Sequence, residues 1–398
     1  MLRNANKHDK LCARYLNKAL IMKNTRQLFP LGKAYGSAFC NRIEETNKLV
    51  GHIHSCKHSL LIAPRRYGKS SLAEKAIEQA QLPSIKINFH LCTNEAEVAQ
   101  IIIDAVVKLI GSAIGQIEKT ILSIKTHLSN LEPLISFGND IASLKLIPKR
   151  EANYSVMITE ALLLIEKLLR EKNKRAVIFF DEFQEIDKIS KTHAIEGAIR
   201  TAAQEMQQLT FIFSGSIRSL LLSMFENENR PLYKLCRKIK LERISAEDYR
   251  KHIQAISHAT WTQELTPETF EKIMLLTNRH PYYVNYLCDT LWGSCKALPK
   301  TLDVEQAWHE VVMEEWSDAL RELSDLPLGQ RRLLKHIANF DVEYIQSQEV
   351  SRKLSMPPSS IATAMGVLVE KDYLELDTDK RYRVINPLLL AVVRGEED

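Results

Sequence analysis

Short apolar stretches alternate with amphipathic helices along the middle of this 398-residue chain, and this alternation most constrains its fold. Strand-like stretches lie at 59–63, 84–90, 176–186, 210–216 and 237–245. Between most of them, apolar residues recur with the 3.6-residue period of a helix that buries one face. Strands that are apolar throughout and separated by helices are typical of a parallel sheet buried on both faces. We therefore predict an α/β core with five parallel strands and helices on both faces.

The flanking segments follow other patterns. Residues 111–155 contain a hairpin, "PLISFG" followed by "ASLKLIPK", and residues 245 to about 322 are helical throughout. The last segment has the order helix, helix, turn, helix and two short strands, which is that of a winged helix-turn-helix. We predict a basic leader at 1–35, the α/β core at 36–244, a helical lid at 245–322 and the winged helix at 323–398.

The composition is ordinary for a soluble globular protein, with 45% apolar and 26% charged residues. There is no uncharged apolar run of the length that a membrane helix needs, and the first twenty residues lack the apolar core of a secretory signal. Seven cysteines, an odd number without a C-x-x-C pair, fit free thiols in a reducing compartment. We expect a cytoplasmic protein without a membrane partner.

Positive charge is concentrated at the start of the chain. Residues 1–33 hold eight Lys or Arg and one acid, whereas the remainder has a net charge of −2. Such a segment can contact nucleic acid or acidic lipid, but a solvated leader is the favoured interpretation. Met22 offers a second start, which would make residues 1–21 dispensable.

The stretch "LLIAPRRYGKSSL", residues 60–72, is close to the phosphate-binding pattern G-x-x-x-x-G-K-[ST]. Ala63 replaces the first glycine, which we expect to be tolerated unless that position needs a positive φ. The loop follows an apolar strand and opens a helix, so its N–H groups can meet phosphates. Lys69 would reach the β- and γ-phosphates and Ser70 would offer its hydroxyl to Mg²⁺. The predicted nucleotide-binding residues of the loop are Ala63, Pro64, Arg65, Arg66, Tyr67, Gly68, Lys69, Ser70 and Ser71.

Two acids end the strand "VIFFDE" at the sheet edge where open α/β sheets bind phosphates. Asp181 would hold Mg²⁺ through water, and Glu182 would orient the attacking water or accept its proton. A strand that merely ends in polar residues is the alternative. Ser214 ends the next strand and would sense the γ-phosphate or the water, unless it only bonds to backbone. Arg218, four residues on, would bind phosphate or a partner carboxylate. The predicted catalytic residues are thus Lys69, Asp181, Glu182 and Ser214, and the metal ligands are Ser70 and Asp181.

With these motifs in order, the chain resembles the bacterial and archaeal ATPases of the AAA+/STAND type, in the group with an archaeal-type ATPase domain. The resemblance covers about Leu31 to Arg394. It rests on five ordered boxes: "FCNRIEE" (39–45), "PRRYGKSSL" (64–72), "VIFFDEFQEI" (177–186), "FIFSGSIRSLLLSMFENENRPLY" (211–233) and "LTNRHPYYVNYLCDTLW" (276–292).

The resemblance implies further roles. Arg42 would lie by the adenine, and His280 and Pro281 would close over the base or the phosphates. Arg230 or Arg237 would serve as an arginine finger on a neighbouring subunit. The chain departs from the group where Asn278 and Arg279 replace a Gly-Gly pair. Arg279 adds a charge near the nucleotide, and its use as a sensor is the less favoured interpretation.

Two other kinds of site are weaker. Four possible zinc ligands occur at alternate positions, as on one face of a strand: His52, His54, Cys56 and His58. They lie across the end of a helix and the start of a strand, so their side chains should point in different directions. The four tryptophans of the helical region are expected in its core. Residues 326–398 have a net charge of −1, so DNA binding through Ser359, Ser360 and Thr363, with Arg352 and Lys353 on the backbone, is less favoured than a protein contact.

The sequence thus predicts an ATP-binding, Mg²⁺-dependent ATPase with slow turnover, which acts as a nucleotide-driven switch through its lid. ATP and ADP with Mg²⁺ are the expected cofactors, and an unidentified protein or a second copy of the chain is the expected partner. The first alternative is a nucleotide-responsive regulator that binds DNA through the winged helix. The second is a nucleotide-locked interaction protein without turnover.

Overall fold

A computed structural model describes residues 28–115, 130–138, 141–148, 153–340, 345, 347–377 and 381–395. The chain forms two compact units. The first, which we call the sheet unit, consists of Arg42–Arg65 and Lys69–Leu241. The second, the helical unit, consists of the residues up to Asn41, of Arg66–Gly68 and of the residues from Glu242 onwards. The four predicted domain ranges stay predictions, and residues 1–27 of the leader lie outside the described part.

Helices and strands alternate along the sheet unit. In chain order it contains α1 (Ile43–His54), β1 (Ser59–Ile62), α2 (Lys69–Ala80), β2 (Ser84–Asn88), α3 (Glu95–Ile114), β3 (Leu131–Gly138), β4 (Ile141–Pro148), α4 (Tyr154–Glu171), β5 (Ala176–Asp181), α5 (Glu185–Ile189), α6 (Ala194–Glu205), β6 (Leu209–Phe213), α7 (Arg218–Glu226) and β7 (Arg237–Lys240).

The five-stranded sheet has the order β2-β5-β6-β1-β7, and all its strand pairs are parallel. Every residue of β1, β5 and β6 is buried, as strands covered on both faces require. The predicted parallel sheet is therefore confirmed. The prediction was wrong in one respect, because β2 and β7 are not apolar throughout. They are the two edge strands, where charged side chains are common because one side has no neighbouring strand.

Two local features of the sheet unit are a helix cap and the predicted hairpin, and the hairpin is confirmed. Asn94 caps α3 by accepting a hydrogen bond from the Glu97 N–H, and the Glu97 carboxylate accepts one from the Thr93 N–H. The hairpin consists of β3 and β4, which pair antiparallel from Leu131–Pro148 to Gly138–Ile141.

The helical unit contains α8 (Ala246–Trp261), α9 (Pro267–Thr277), α10 (Pro281–Ser294), α11 (Thr301–Ser324), α12 (Leu328–Asn339), α13 (Gln348–Leu354), α14 (Pro358–Glu370), β8 (Leu374–Leu376), β9 (Tyr382–Val384) and α15 (Pro387–Gly395). Its tryptophans pack as expected, with the Trp292 ring 4.9 Å from Phe29 and 4.7 Å from Trp261. The antiparallel pair β8–β9 follows three helices, in the order of a winged helix-turn-helix.

The closing helix α15 was not predicted. It buries Leu388, Leu389, Val392 and Val393, in a sequence too short and too uniformly apolar to show a helical period. In the described part of the chain, no helix has both the length and the apolarity of a membrane span.

A buried carboxylate fixes the start of β6. Glu166 of α4 is 3% exposed and accepts hydrogen bonds from the N–H groups of Gln207, Gln208 and Leu209. Arg170, one turn further along α4, donates to the same carboxylate at 2.7 Å. Since buried polar groups must be paired, this carboxylate satisfies three backbone donors that the sheet leaves open at that edge.

We expect Glu166→Ala to lower the free energy of unfolding by about 3 kcal/mol, because three N–H groups, that of the buried Leu209 among them, lose their acceptor. Urea denaturation measures the change. Glu171→Ala is the control on the same helix: its ion pair with Lys167, 3.9 Å and exposed, should contribute less than about 1 kcal/mol. Equal effects of the two substitutions would contradict the proposed role of Glu166.

Candidate functional site

The loop between β1 and α2 has the backbone that its sequence predicts. Gly68 has a φ of 86°, in the left-handed region where glycine is free of strain. Arg66 lies there too, with a φ of 64°. Ala63 is not among the residues with positive φ, so alanine in place of the first glycine brings no backbone strain. Helix α2 then begins at Lys69.

The Lys69 side chain folds back onto its own loop. It is 9% exposed, and its Nζ donates to the carbonyl oxygens of Ala63 and Pro64, each at 2.9 Å. A buried ammonium needs such partners, because its hydration is lost. The charge is therefore held beside the loop backbone, next to the first turn of α2.

Asp181, the last residue of β5, joins the loop to the sheet. Its Oδ2 accepts a hydrogen bond from the Ser70 hydroxyl at 3.0 Å and forms an ion pair with Lys86. Its Oδ1 accepts a hydrogen bond from the Ser214 hydroxyl. Burial raises the pKa of this carboxyl, but the hydrogen bonds from Lys86, Ser214 and Ser70 outweigh that effect and lower it. The structure thus brings together the two residues predicted to hold the metal, and keeps the carboxylate ionised.

Glu182, the next residue, has a left-handed backbone with a φ of 51°. Its Oε2 accepts hydrogen bonds from Gln184 Nε2 and from Ser216 Oγ, both at 2.7 Å, and from the Ser216 N–H at 3.2 Å. Gln184 is fully buried. Neither Gln184 nor Ser216 was predicted as a site residue, although both lie inside the motifs "DEFQ" and "FSGS".

The tripeptide Ser214-Gly215-Ser216 after β6 therefore contacts both acids. Ser214 is completely buried and donates to Asp181, and Ser216 donates to Glu182. Neither of the two roles predicted for Ser214, a sensor of the γ-phosphate or water and a hydrogen bond to backbone, included this bond to a carboxylate. The sensing role stays a prediction. A Cβ at Gly215 would lie 1.9 Å from Gln184 Oε1, so any other residue there would displace the Gln184 side chain.

Lys86 is a third residue that was not predicted from the sequence. It lies on β2 opposite Phe179 of β5, and Asp181 is two residues further along β5 on the same face. Its Nζ contacts Asp181, lies 3.6 Å from Glu74 Oε1 of α2, and is 5.0 Å from the centre of the Phe179 ring. The ammonium reaches the site because β2 pairs with β5, although β3 and β4 lie between these two strands in the sequence.

The donor set fits a small hard cation. Ser70 supplies a hydroxyl and Asp181 an ionised carboxylate, joined by a 3.0 Å hydrogen bond, and oxygen donors of this kind suit Mg²⁺.

Arg42 begins the motif that the resemblance places by the adenine. Its backbone has a φ of 66° and starts α1, and its guanidinium is 7% exposed. Nη1 donates to Glu45 at 2.9 Å. Within the described part of the chain, the buried Nη2 has no hydrogen-bond acceptor. The position of this donor relative to a base stays a prediction.

His280 and Pro281 open α10 of the helical unit, with Pro281 in the first turn. The His280 ring lies 4.8 Å from that of Tyr67 and 5.0 Å from that of Tyr283. Burial, and then the charges of Arg243 and Arg66, lower the pKa of His280 to about 3, so the ring is neutral at physiological pH. Arg66 stacks on Tyr282, 4.1 Å from the ring centre.

The remaining arginines take different positions. Arg230 forms ion pairs with Asp187 and Glu196, and Arg237 begins the edge strand β7. The arginine-finger role stays a prediction for both. Asn278 and Arg279 have φ values of 46° and 54°. Two successive left-handed residues explain why the resembling group has Gly-Gly there.

Two of the alternating histidines, His52 and His58, have hydrogen-bond partners within the protein. His52 Nδ1 bonds to the Ser59 hydroxyl at 2.9 Å, while His58 bonds to the Ala203 carbonyl through Nε2 and to the Phe211 N–H through Nδ1. Among the described residues, one other group has the spacing of metal ligands, namely Asp187, His193 and Glu196. Arg230 already pairs with both of its acids.

The predicted DNA-reading helix is α14. Ser359, Ser360 and Thr363 are exposed near its start, but Lys353 of α13 forms an ion pair with Glu349 at 3.0 Å. DNA binding by this face stays a prediction.

Neither the protein-family models nor the curated proteins include a match to this sequence. Solved structures do match. The Walker-type ATPase of Pyrococcus abyssi has a TM-score of 0.66 and 16% identity, over 92% of this chain and 99% of that protein. The ORC2 protein of Aeropyrum pernix, in ADPNP–ADP complexes, has a TM-score of 0.53 and 12% identity, over 89% and 94%. These similarities establish the fold over nearly the whole chain and confirm the predicted fold class.

We expect Gly215→Ala to displace Gln184, because the added Cβ cannot share space with its amide oxygen. Glu182 would then lose its bond to Gln184 Nε2. The free energy of unfolding should fall by about 1–3 kcal/mol, as it does when a packed interior receives an extra carbon. Urea denaturation measures the change. Gly197→Ala, at a helical position with open space, is the control and should not lower the stability. Equal stability of Gly215→Ala and the wild type would contradict the packing argument.

Proposed function

From the AAA+ P-loop fold of this chain, we infer that the loop Ala63–Ser71 binds ATP and ADP with Mg²⁺ and that the site hydrolyses ATP slowly. The hydrogen bond between Ser70 of the loop and Asp181 of β5 carries this proposal. It places a phosphate-loop hydroxyl beside a buried carboxylate on a strand that is not adjacent in sequence. A chance G-K-S tripeptide has no reason to meet such an acid.

The loop supplies the donors that a triphosphate needs. The first N–H groups of a helix lack partners within the helix, and α2 begins at Lys69 directly after the loop. The Lys69 ammonium has three protons and exchanges its two carbonyl acceptors for phosphate oxygens when the nucleotide enters. The similarity to the Aeropyrum pernix ORC2 protein, whose structure contains ADPNP and ADP, supports an adenine nucleotide as the ligand.

Ser70 and Asp181 would hold the metal. Mg²⁺ bound there would neutralise part of the charge on the phosphates. The lowered pKa of Asp181 means that this carboxylate is already ionised at neutral pH, so it needs no deprotonation before it accepts a cation.

Glu182 is the residue that we assign to the attacking water. Its carboxylate stands at the carboxyl end of β5, beside the metal-binding acid, and is oriented by Ser216 and Gln184. In this role it accepts a hydrogen bond from the water and then its proton. The bonds from Ser216 and Gln184 all go to Oε2, and a carboxylate has a second oxygen with lone pairs of its own that can accept from the water.

The switch role rests on Tyr67 in the loop. Its side chain is buried, and its ring lies 4.8 Å from that of His280. Because phosphates would bind the backbone on either side of Tyr67, we propose that binding and hydrolysis change the surroundings of Tyr67 and His280. A protein partner or a second copy of the chain would read that change.

We expect Lys69→Ala to weaken ATP binding at least a hundredfold, since a charge-assisted contact of about 3 kcal/mol is lost. Titration with a fluorescent ATP analogue measures the affinity. Lys108→Ala, at an exposed position of α3, is the control and should bind as the wild type does. Equal affinity of wild type and Lys69→Ala would overturn the site.

We expect Glu182→Gln to bind ATP as the wild type does but to hydrolyse it 100-fold or more slowly, because an amide cannot accept the proton. Single-turnover phosphate release compares the variants, with Glu78→Gln, exposed on α2, as the control. If the wild type itself binds ATP without releasing phosphate, the chain is a nucleotide-locked interaction protein instead.

A further inference from the structure

The buried Asp181 carboxylate takes its positive partner from β2. It is 6% exposed, and of its three side-chain donors only Lys86 is charged. An ionised group in such a position needs a counter-charge, since leaving it unpaired is strongly destabilising. In the described structure Lys86 therefore occupies the electrostatic role that a divalent cation would have.

Lys86 also has a second carboxylate within reach. Glu74 of α2 lies 3.6 Å from its Nζ, at the edge of ion-pair distance, while Asp181 is in direct contact. The Lys86 side chain is 29% exposed, so its stem is not locked in the core. Rotation about the side-chain torsions is enough to move the ammonium from one acid to the other.

We propose that Lys86 gates metal binding: its ammonium neutralises Asp181 when no divalent cation is bound and moves to Glu74 when one binds. This inference rests on the proposed function. Two cations cannot share one carboxylate oxygen in a site of low effective dielectric without strong mutual repulsion. Lys86 also donates to the oxygen that Ser70 contacts, where the predicted metal ligands meet. Moving to Glu74 keeps the ammonium paired and clears Asp181.

The consequence is a coupling between the position of Lys86 and the affinity for the metal. Because such coupling is reciprocal, any affinity of Lys86 for Asp181 lowers the affinity of the cation by the same factor. Removing the ammonium should tighten cation binding. Removing its alternative partner, Glu74, should weaken it, because Lys86 then remains on Asp181. The two substitutions thus act in opposite directions, which a purely structural ion pair would not produce.

The test uses the full chain with ADP and with Mn²⁺ in place of Mg²⁺. Protein in excess over ADP keeps nearly all of the nucleotide bound, and the electron paramagnetic resonance signal of free Mn²⁺ gives the dissociation constant. We expect Lys86→Met to bind Mn²⁺ about tenfold more tightly than the wild type and Glu74→Gln to bind it several-fold more weakly. Lys86→Arg keeps the charge and should stay near the wild type, as should Lys238→Met, on the opposite edge strand.

An unchanged or weaker Mn²⁺ affinity of Lys86→Met, with ADP still bound, would overturn the gate and leave Lys86 as a structural or phosphate-binding residue. If Lys86→Met does not fold, Glu74→Gln decides, and an affinity equal to the wild type rejects the proposal. Failure of the proposed function looks different. In that case the wild type binds no ADP in either EDTA or Mn²⁺.

Discussion

The carboxylate of Asp181 is the point on which the site depends. It is buried at the end of the inner strand β5, and it accepts hydrogen bonds from Ser70 of the loop and from Ser214, directly after β6, while Lys86 of β2 neutralises it. One charged group thereby connects the phosphate loop with three neighbouring strands. An ionised group is stable in such a place only when it is fully paired, so the sheet order and the site chemistry are coupled.

The position of Glu182 is set by that of Asp181, the residue before it. Asp181 ends β5, and Glu182 turns the chain with a left-handed backbone so that its carboxylate meets Ser216 and Gln184. The spacing of Ser214 and Ser216 along one strand end lets a single tripeptide orient both acids. Gly215 between them is the residue without a side chain, which leaves room for Gln184. The geometry of the candidate catalytic residues is therefore set by backbone and packing before any ligand binds.

Much of this could be predicted from the sequence, for physical reasons. Buried parallel strands consist almost entirely of apolar residues. The sequence therefore predicts β5, β6 and the position of the acids at the end of β5. The parallel arrangement then placed Asp181 near the loop. Lys86 could not be found in this way, because its meeting with Asp181 depends on which strands are neighbours, and no local pattern encodes the order β2-β5-β6. The roles of Gln184 and Ser216 depend on where their side chains point, which the sequence does not show. Helix α15 is too short and too uniformly apolar to show a helical period.

The most direct test of this account is a crystal structure of the chain with ADP and Mg²⁺. We expect the β-phosphate to lie within hydrogen-bond distance of the Lys69 Nζ and of N–H groups at the start of α2, with the metal beside Ser70 and Asp181. Nucleotide density elsewhere, with Lys69 still bonded to Ala63 and Pro64, would contradict the account.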